Sequence, residues 1–176
     1  MPLQIFEPRY MSMLTECLKQ DSGFGVLLIR EGREVGEVPQ VFPVGVYAHI
    51  EDWHQQENGL LGIKVRGGRK FRVLKTFSGD DQGMSAEVLF LPEEPVLEIG
   101  EQYMDLLGLL SQLQEHPAVQ ALALPAVKDA SQLGWQLTQL LPLSRPDKVA
   151  LLELDNPEER LDQLTERIDR LAEGEG

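Results

Sequence analysis

The sequence predicts an α+β fold, in which a strand-rich first part with one early helix precedes a second part made of helices. Two observations carry this. Before residue 92 apolar and polar side chains alternate over several short stretches, whereas after residue 96 the apolar positions recur every three to four residues. The breaker Pro92-Glu-Glu-Pro95 separates the two patterns. A length of 176 residues suits one large domain or two small lobes sharing a core. The predicted lobes span 1–92 and 96–176.

The opening stretch, Pro2 to Tyr10, is the most specific. A short extended run (Leu3, Ile5, Phe6) meets Glu7-Pro8, a step suited to opening a helix. Proline fits the first turn because its missing N–H would go unbonded there, and Glu7 sits at the positive end of the helix dipole. Tyr10, Met13, Leu14, Cys17 and Leu18 then mark one buried helical stripe.

Phe24–Arg30 hardly alternates and is expected to be a strand buried on both faces, followed by a loop over Glu31–Gly36. Val44, Val46, Ala48 and Ile50 alternate with Gly45, Tyr47, His49 and Glu51, giving a strand with one wet face. Leu61–Arg66 and Lys70–Val73 alternate likewise. Gly67-Gly68 between them predicts a two-residue hairpin, since glycine supplies the positive φ such turns need. Ser85–Leu91 is the last strand expected.

Helices are predicted over Glu98–Glu115, Ser131–Leu141 and Pro146–Glu153, with a final one marked by Leu161, Leu164, Ile168 and Leu171. Ser144-Arg-Pro-Asp147 and Asp155-Asn-Pro-Glu158 both read as helix starts, each with a capping residue and an early proline. Trp135 falls on a helical stripe and is assigned to the core.

The opening PLQIFEPRY resembles the start of the LON substrate-binding domain, which forms the N-terminal part of ATP-dependent Lon proteases and also occurs as a stand-alone protein. The resemblance extends through FGVLLIREG, VFPVGVYAHIED, LLGIKVRGGRKFRV and QLTQLLPLSRPDKVALLELDNPEERL. It implies a PUA-like, antiparallel, β-barrel-like lobe followed by a C-terminal helical bundle. Members of that family usually carry another strand before the segment that starts here at Pro2. Either the start lies upstream of Met1 or the chain lacks a sheet edge its relatives have; in the second case an uncovered edge is expected, with poor solution behaviour or an edge-to-edge homodimer as its consequence.

By the same resemblance the chain is expected to be a non-catalytic module that binds unfolded or exposed apolar protein segments. The ATPase and Ser-Lys protease modules of Lon have no counterpart in its motifs. Gly62-Ile-Lys-Val-Arg-Gly67-Gly68-Arg69 has some P-loop glycine spacing but lacks the lysine and hydroxyl that hold phosphate and metal. His49, His54 and His116 share no ligand spacing, so neither a metal nor a cofactor is expected. The single Cys17 reads as a small buried hydrophobe.

Charge narrows the partners. Residues 1–92 carry 10 Lys+Arg and 12 Asp+Glu (net −2), and residues 93–176 carry 6 and 17 (net −11). The second half repels phosphate backbones and anionic membrane surfaces. No apolar run approaches the roughly 20 residues of a membrane span. No basic, then apolar, leader opens the chain, and a reducing cytoplasm is the expected location.

Two candidate sites follow. Phe42, Tyr47 and Trp53 are candidate protein-binding residues, with Trp53 placed in a polar loop outside any stripe. Lys64, Arg66, Arg69, Lys70 and Arg72 form a candidate anion or RNA site, the lesser alternative because Phe71, the aromatic within the run, aligns with the core. A solvated hairpin face, with these cations paired to acids such as Glu51 or Glu87, is the plain reading of that cluster. An adaptor contacting a protease system through the acidic helices is a further alternative.

Overall fold

A computed structural model describes residues 2–31, 40–55, 61–78 and 84–174. Five antiparallel strands form one sheet: β1 (Pro2–Ile5), β2 (Phe24–Glu31), β3 (Gln40–Gln55), β4 (Leu61–Ser78) and β5 (Met84–Phe90). The order is β1-β4-β3-β2, with β5 also on β4. β1 pairs with Leu61–Lys64 and β5 with Phe71–Ser78, both on the edge of β4 opposite β3.

Helix α1 (Pro8–Gln20) follows β1, with Pro8 in its first turn as the sequence predicts. The Glu7 carbonyl accepts from the backbone N–H of Tyr10 and of Met11, each at 3.1 Å. At the other end Asp21 takes a left-handed conformation, φ 50°, which aspartate tolerates better than most residues. Leu14 and Cys17 are buried, and Leu14 packs into a cluster with Ala48, Leu61, Ile63 and Val65. Leu18, assigned by sequence to the buried stripe, is instead 38% exposed.

Three expectations are corrected in the sheet. First, β2 is not buried on both faces: it pairs with β3 alone, and Val26 and Leu28 are exposed. An edge strand covered on one side reads like a central one when its residues are uniformly apolar. The loop expected at Glu31–Gly36 lies outside the described residues, except for Glu31, which ends β2.

Second, Gly67-Gly68 is not a hairpin. β4 runs through it unbroken, and the register against β3 slips between Val46↔Lys70 and Ala48↔Gly67. Gly68 and Arg69 thus stand opposite the one residue Tyr47, a β-bulge. A Cβ on Gly68 would lie 2.6 Å from His49 Nε2 and 3.2 Å from the Tyr47 carbonyl, so the glycine serves close approach of β3 rather than a turn.

Third, Trp53 is in a strand. β3 continues to Gln55, pairing Trp53 with Ile63 and His54 with Gly62. A second slip, between Ile50↔Val65 and Asp52↔Lys64, makes Glu51 the extra residue. It moves the helix-facing positions of β3 from Ala48 and Ile50 to Trp53 and Gln55.

The helical unit is built from α2 (Met104–Gln114), the short α3 (Pro117–Gln120), α4 (Ala130–Leu140), α5 (Arg145–Glu153) and α6 (Pro157–Ala172). The first predicted helix begins later than expected: Glu101–Tyr103 form a 3-10 turn, and 95–100 are irregular. Ser144 caps α5 as expected, whereas α6 is capped by Asn156 rather than Asp155, and Asp129, which sequence reasoning did not mark, caps α4. Ser144 Oγ accepts from the Asp147 N–H at 3.2 Å and Asn156 Oδ1 from that of Glu158 at 2.9 Å; Asp129 Oδ1 accepts from that of Gln132 at 2.8 Å. Leu110, Leu133, Leu137, Leu151, Leu161 and Leu164 form its core. The chain divides into two units, Met1–Glu93 and Glu94–Gly176.

Candidate functional site

An apolar cleft of about 450 Å³ opens beside α1 in the first unit. Met11, Thr15, Leu18 and Lys19 line one wall at helical spacing, the face next to the buried stripe. Trp53 and Gln55 line the other, placed there by the Glu51 bulge, and Leu61 of β4 also lines it. Leu61 is 8% exposed, whereas Trp53 is 55% exposed. The Asp52 carboxylate accepts from the Trp53 backbone N–H at 2.9 Å, and the Thr15 hydroxyl donates to the Met11 carbonyl at 2.8 Å. These bonds satisfy polar groups at the edges and leave the Trp53 indole and Leu18 facing water beside the half-buried Met11.

Of the three candidate protein-binding residues, the cleft includes Trp53 alone. Tyr47 projects from the opposite face of β3. Its hydroxyl accepts from the Gly23 N–H, and its ring meets His49 and Phe90 edge-on at 4.9 and 5.7 Å. Phe42 is half-buried nearer the start of β3 and does not line the cleft. Sequence reasoning missed Met11, Thr15 and Lys19. The available signal was the pair Met11 and Leu18, seven residues apart and so on one helical face.

The basic cluster does not converge. Arg66 Nε pairs with Glu51 Oε1 at 3.2 Å. Arg69 donates to the Leu91 carbonyl at 3.1 Å and lies over the Phe90 ring at 5.1 Å. Lys70 is buried, while Lys64 and Arg72 are exposed. The strand pairing and the bulge at Gly68 turn these cations to different surroundings.

Among the described residues no group of three or more His, Cys, Asp and Glu could hold a metal ion. The His54 ring packs over Gly62, and His116 Nδ1 accepts from the Ala118 N–H at 3.2 Å as the cap of α3. No helix among the described residues is long and apolar enough to cross a membrane.

A sequence model of the ATP-dependent protease La (LON) substrate-binding domain matches residues 1–170. The chain belongs to that family. Among solved structures it is similar to the Lon N-terminal domain protein from Xanthomonas campestris, with a TM-score of 0.75 and 30% identity, covering 94% of this chain and 87% of that one. It shares its fold with the N-terminal domain of Mycobacterium avium complex Lon protease: TM-score 0.60, 22% identity, 94% of this chain and 88% of that one. Protein cereblon of Gallus gallus is 34% identical over 95 residues, which are 53% of this chain and 20% of cereblon. The chain thus spans only a small part of that curated relative. A LON substrate-binding domain is a non-catalytic recognition module, and the antiparallel sheet followed by helices is its architecture.

Proposed function

We propose that this LON domain holds exposed apolar segments of unfolded polypeptides in the cleft between α1 and the ends of β3 and β4. The observation that carries the reading is the exposed indole of Trp53 beside Leu18 and Met11, above the buried Leu61. Large apolar groups left facing water in a concave site gain free energy when a partner covers them, and tryptophan is prominent among residues that dominate such contacts. A cleft of this size grips a few side chains, so binding is weak and reversible. Strong binding then requires several engaged segments. The single Cys17, buried and unpaired, suits a reducing cytoplasm.

A phosphate-binding face on Lys64, Arg66, Arg69, Lys70 and Arg72 has less support, because Arg66 and Arg69 have protein partners and Lys70 is buried. Edge-to-edge pairing of two copies through β2 has an exposed edge strand in its favour.

The test is anisotropy titration of a labelled polypeptide kept unfolded by cysteine alkylation. Trp53→Ala weakens its capture by roughly tenfold, as expected for loss of a dominant aromatic contact. Unchanged capture removes the cleft from the site.

A further inference from the structure

The polar groups around the cleft are biased toward hydrogen-bond donors. Among the described residues the Lys19 ammonium, the Trp53 indole N–H and the Gln55 side-chain amide have no hydrogen-bond or ionic partner. Among the described residues that line the cleft there is no carboxylate. Lys19 lies in the last turn of α1, where its charge also offsets the dipole, so the helix keeps it beside the apolar wall of Leu18. The Lys19 ammonium and the Trp53 indole N–H offer donors alone, and the Gln55 amide adds a donor and an acceptor, so donors prevail along this apolar surface.

We propose that the cleft reads the free C-terminus of a polypeptide whose last residue is bulky and apolar. The terminal side chain packs on Leu18, Leu61 and Trp53, and the α-carboxylate takes the donors of Lys19, Trp53 and Gln55. This rests on the apolar-segment reading above and specifies its ligand. An internal residue brings one N–H for every carbonyl and needs acceptors as much as donors; a chain end brings two carboxylate oxygens and full negative charge. Volume agrees: about 450 Å³ lies toward the small end of ligand clefts, which run roughly 300–1,000 Å³, and suits a chain end better than a long strand.

The full chain is titrated with three labelled peptides of one sequence ending in phenylalanine: the free acid, the C-terminal amide, and the amide with an internal aspartate beside the phenylalanine. The free acid binds about fivefold more tightly than the amide, the scale of an exposed ion pair. Lys19→Met brings the ratio of acid to amide close to one, and Lys19→Glu inverts it. Equal binding of acid and amide, a ratio that survives Lys19→Met, or an internal-aspartate peptide matching the free acid overturns the proposal. If peptides bind through Trp53 but ignore their chain ends, this inference fails alone. If none binds and Trp53→Ala changes nothing, the parent reading fails with it.

Discussion

Arg160 and Glu94 form a forked ion pair in the interior of the helical unit, with Nη1 2.8 Å from Oε2 and Nη2 2.5 Å from Oε1. The Arg160 side chain is completely buried, and that of Glu94 is 11% exposed. The guanidinium also donates to the carbonyls of Leu151 and Leu154 and lies 3.7 Å from the centre of the Trp135 ring. Ser131 Oγ donates to Glu94 as well. The first residue of the unit is thereby tied to α4, α5 and α6. Trp135, assigned by sequence to the core, is half-buried and serves as the stacking plate for this cation.

Glu94→Ala leaves that guanidinium buried without its counter-ion and costs about 3 kcal/mol, the low end of the range for breaking a buried pair. Urea unfolding followed by far-ultraviolet circular dichroism measures it. A loss below ~1 kcal/mol would mean the pair contributes little.

Burial, then the hydrogen bond from Tyr103 to Asp162 and the negative charge of that residue, push the Tyr103 phenol up to about 12. The bond is 2.7 Å long. Folding therefore favours the protonated phenol, so its contribution to stability is full below the ordinary tyrosine value near 10 and is lost as pH rises toward 12. Tyr103→Phe should flatten this alkaline loss, and the parent's phenolate absorbance should show one tyrosine titrating late. Three phenols titrating together would contradict it.

Asp147 behaves oppositely. The Ser144 hydroxyl first, and Arg167 at 3.1 Å second, hold its carboxyl below the ordinary carboxylate range. Its contribution is present at neutral pH and disappears as acid protonates it. Asp147→Asn costs at most about 1 kcal/mol near neutrality, because the site is partly solvated. The difference from the parent closes in acid; a constant difference across pH would rule out the charge.

Gly23 separates α1 from β2 at a point of close approach. A Cβ there would run into the Ala48 carbonyl and the Tyr47 ring. Since a backbone carbonyl in a paired strand cannot swing aside, Gly23→Ala should destabilise by about 3 kcal/mol. Thermal unfolding reads this directly, and a neutral result would show that the strand yields.

Much of this architecture was legible in local sequence. Pro8 after an apolar run, the Ser144 and Asn156 caps, and the change from alternation to helical spacing are signals that nearby backbone chemistry dictates. The errors arose where one local signal serves two structures. Gly67-Gly68 permits a tight turn or a bulge, and only the continuation of β3 past Glu51 selects the bulge. Asp52-Trp-His-Gln-Gln reads as a polar loop because half of an edge surface is solvated in a strand too. The cleft was harder still. Its walls come from residues 11–19, from Trp53 and Gln55, and from Leu61, and their meeting depends on the register of β3 against β4.

The central claim is tested most directly by following the two tryptophan indole N–H signals by NMR during titration with an unfolded polypeptide, assigning Trp53 through Trp53→Phe. The account predicts that the Trp53 signal shifts progressively while that of Trp135, stacked on Arg160, stays in place. A polypeptide that binds and leaves the Trp53 signal unmoved would contradict it.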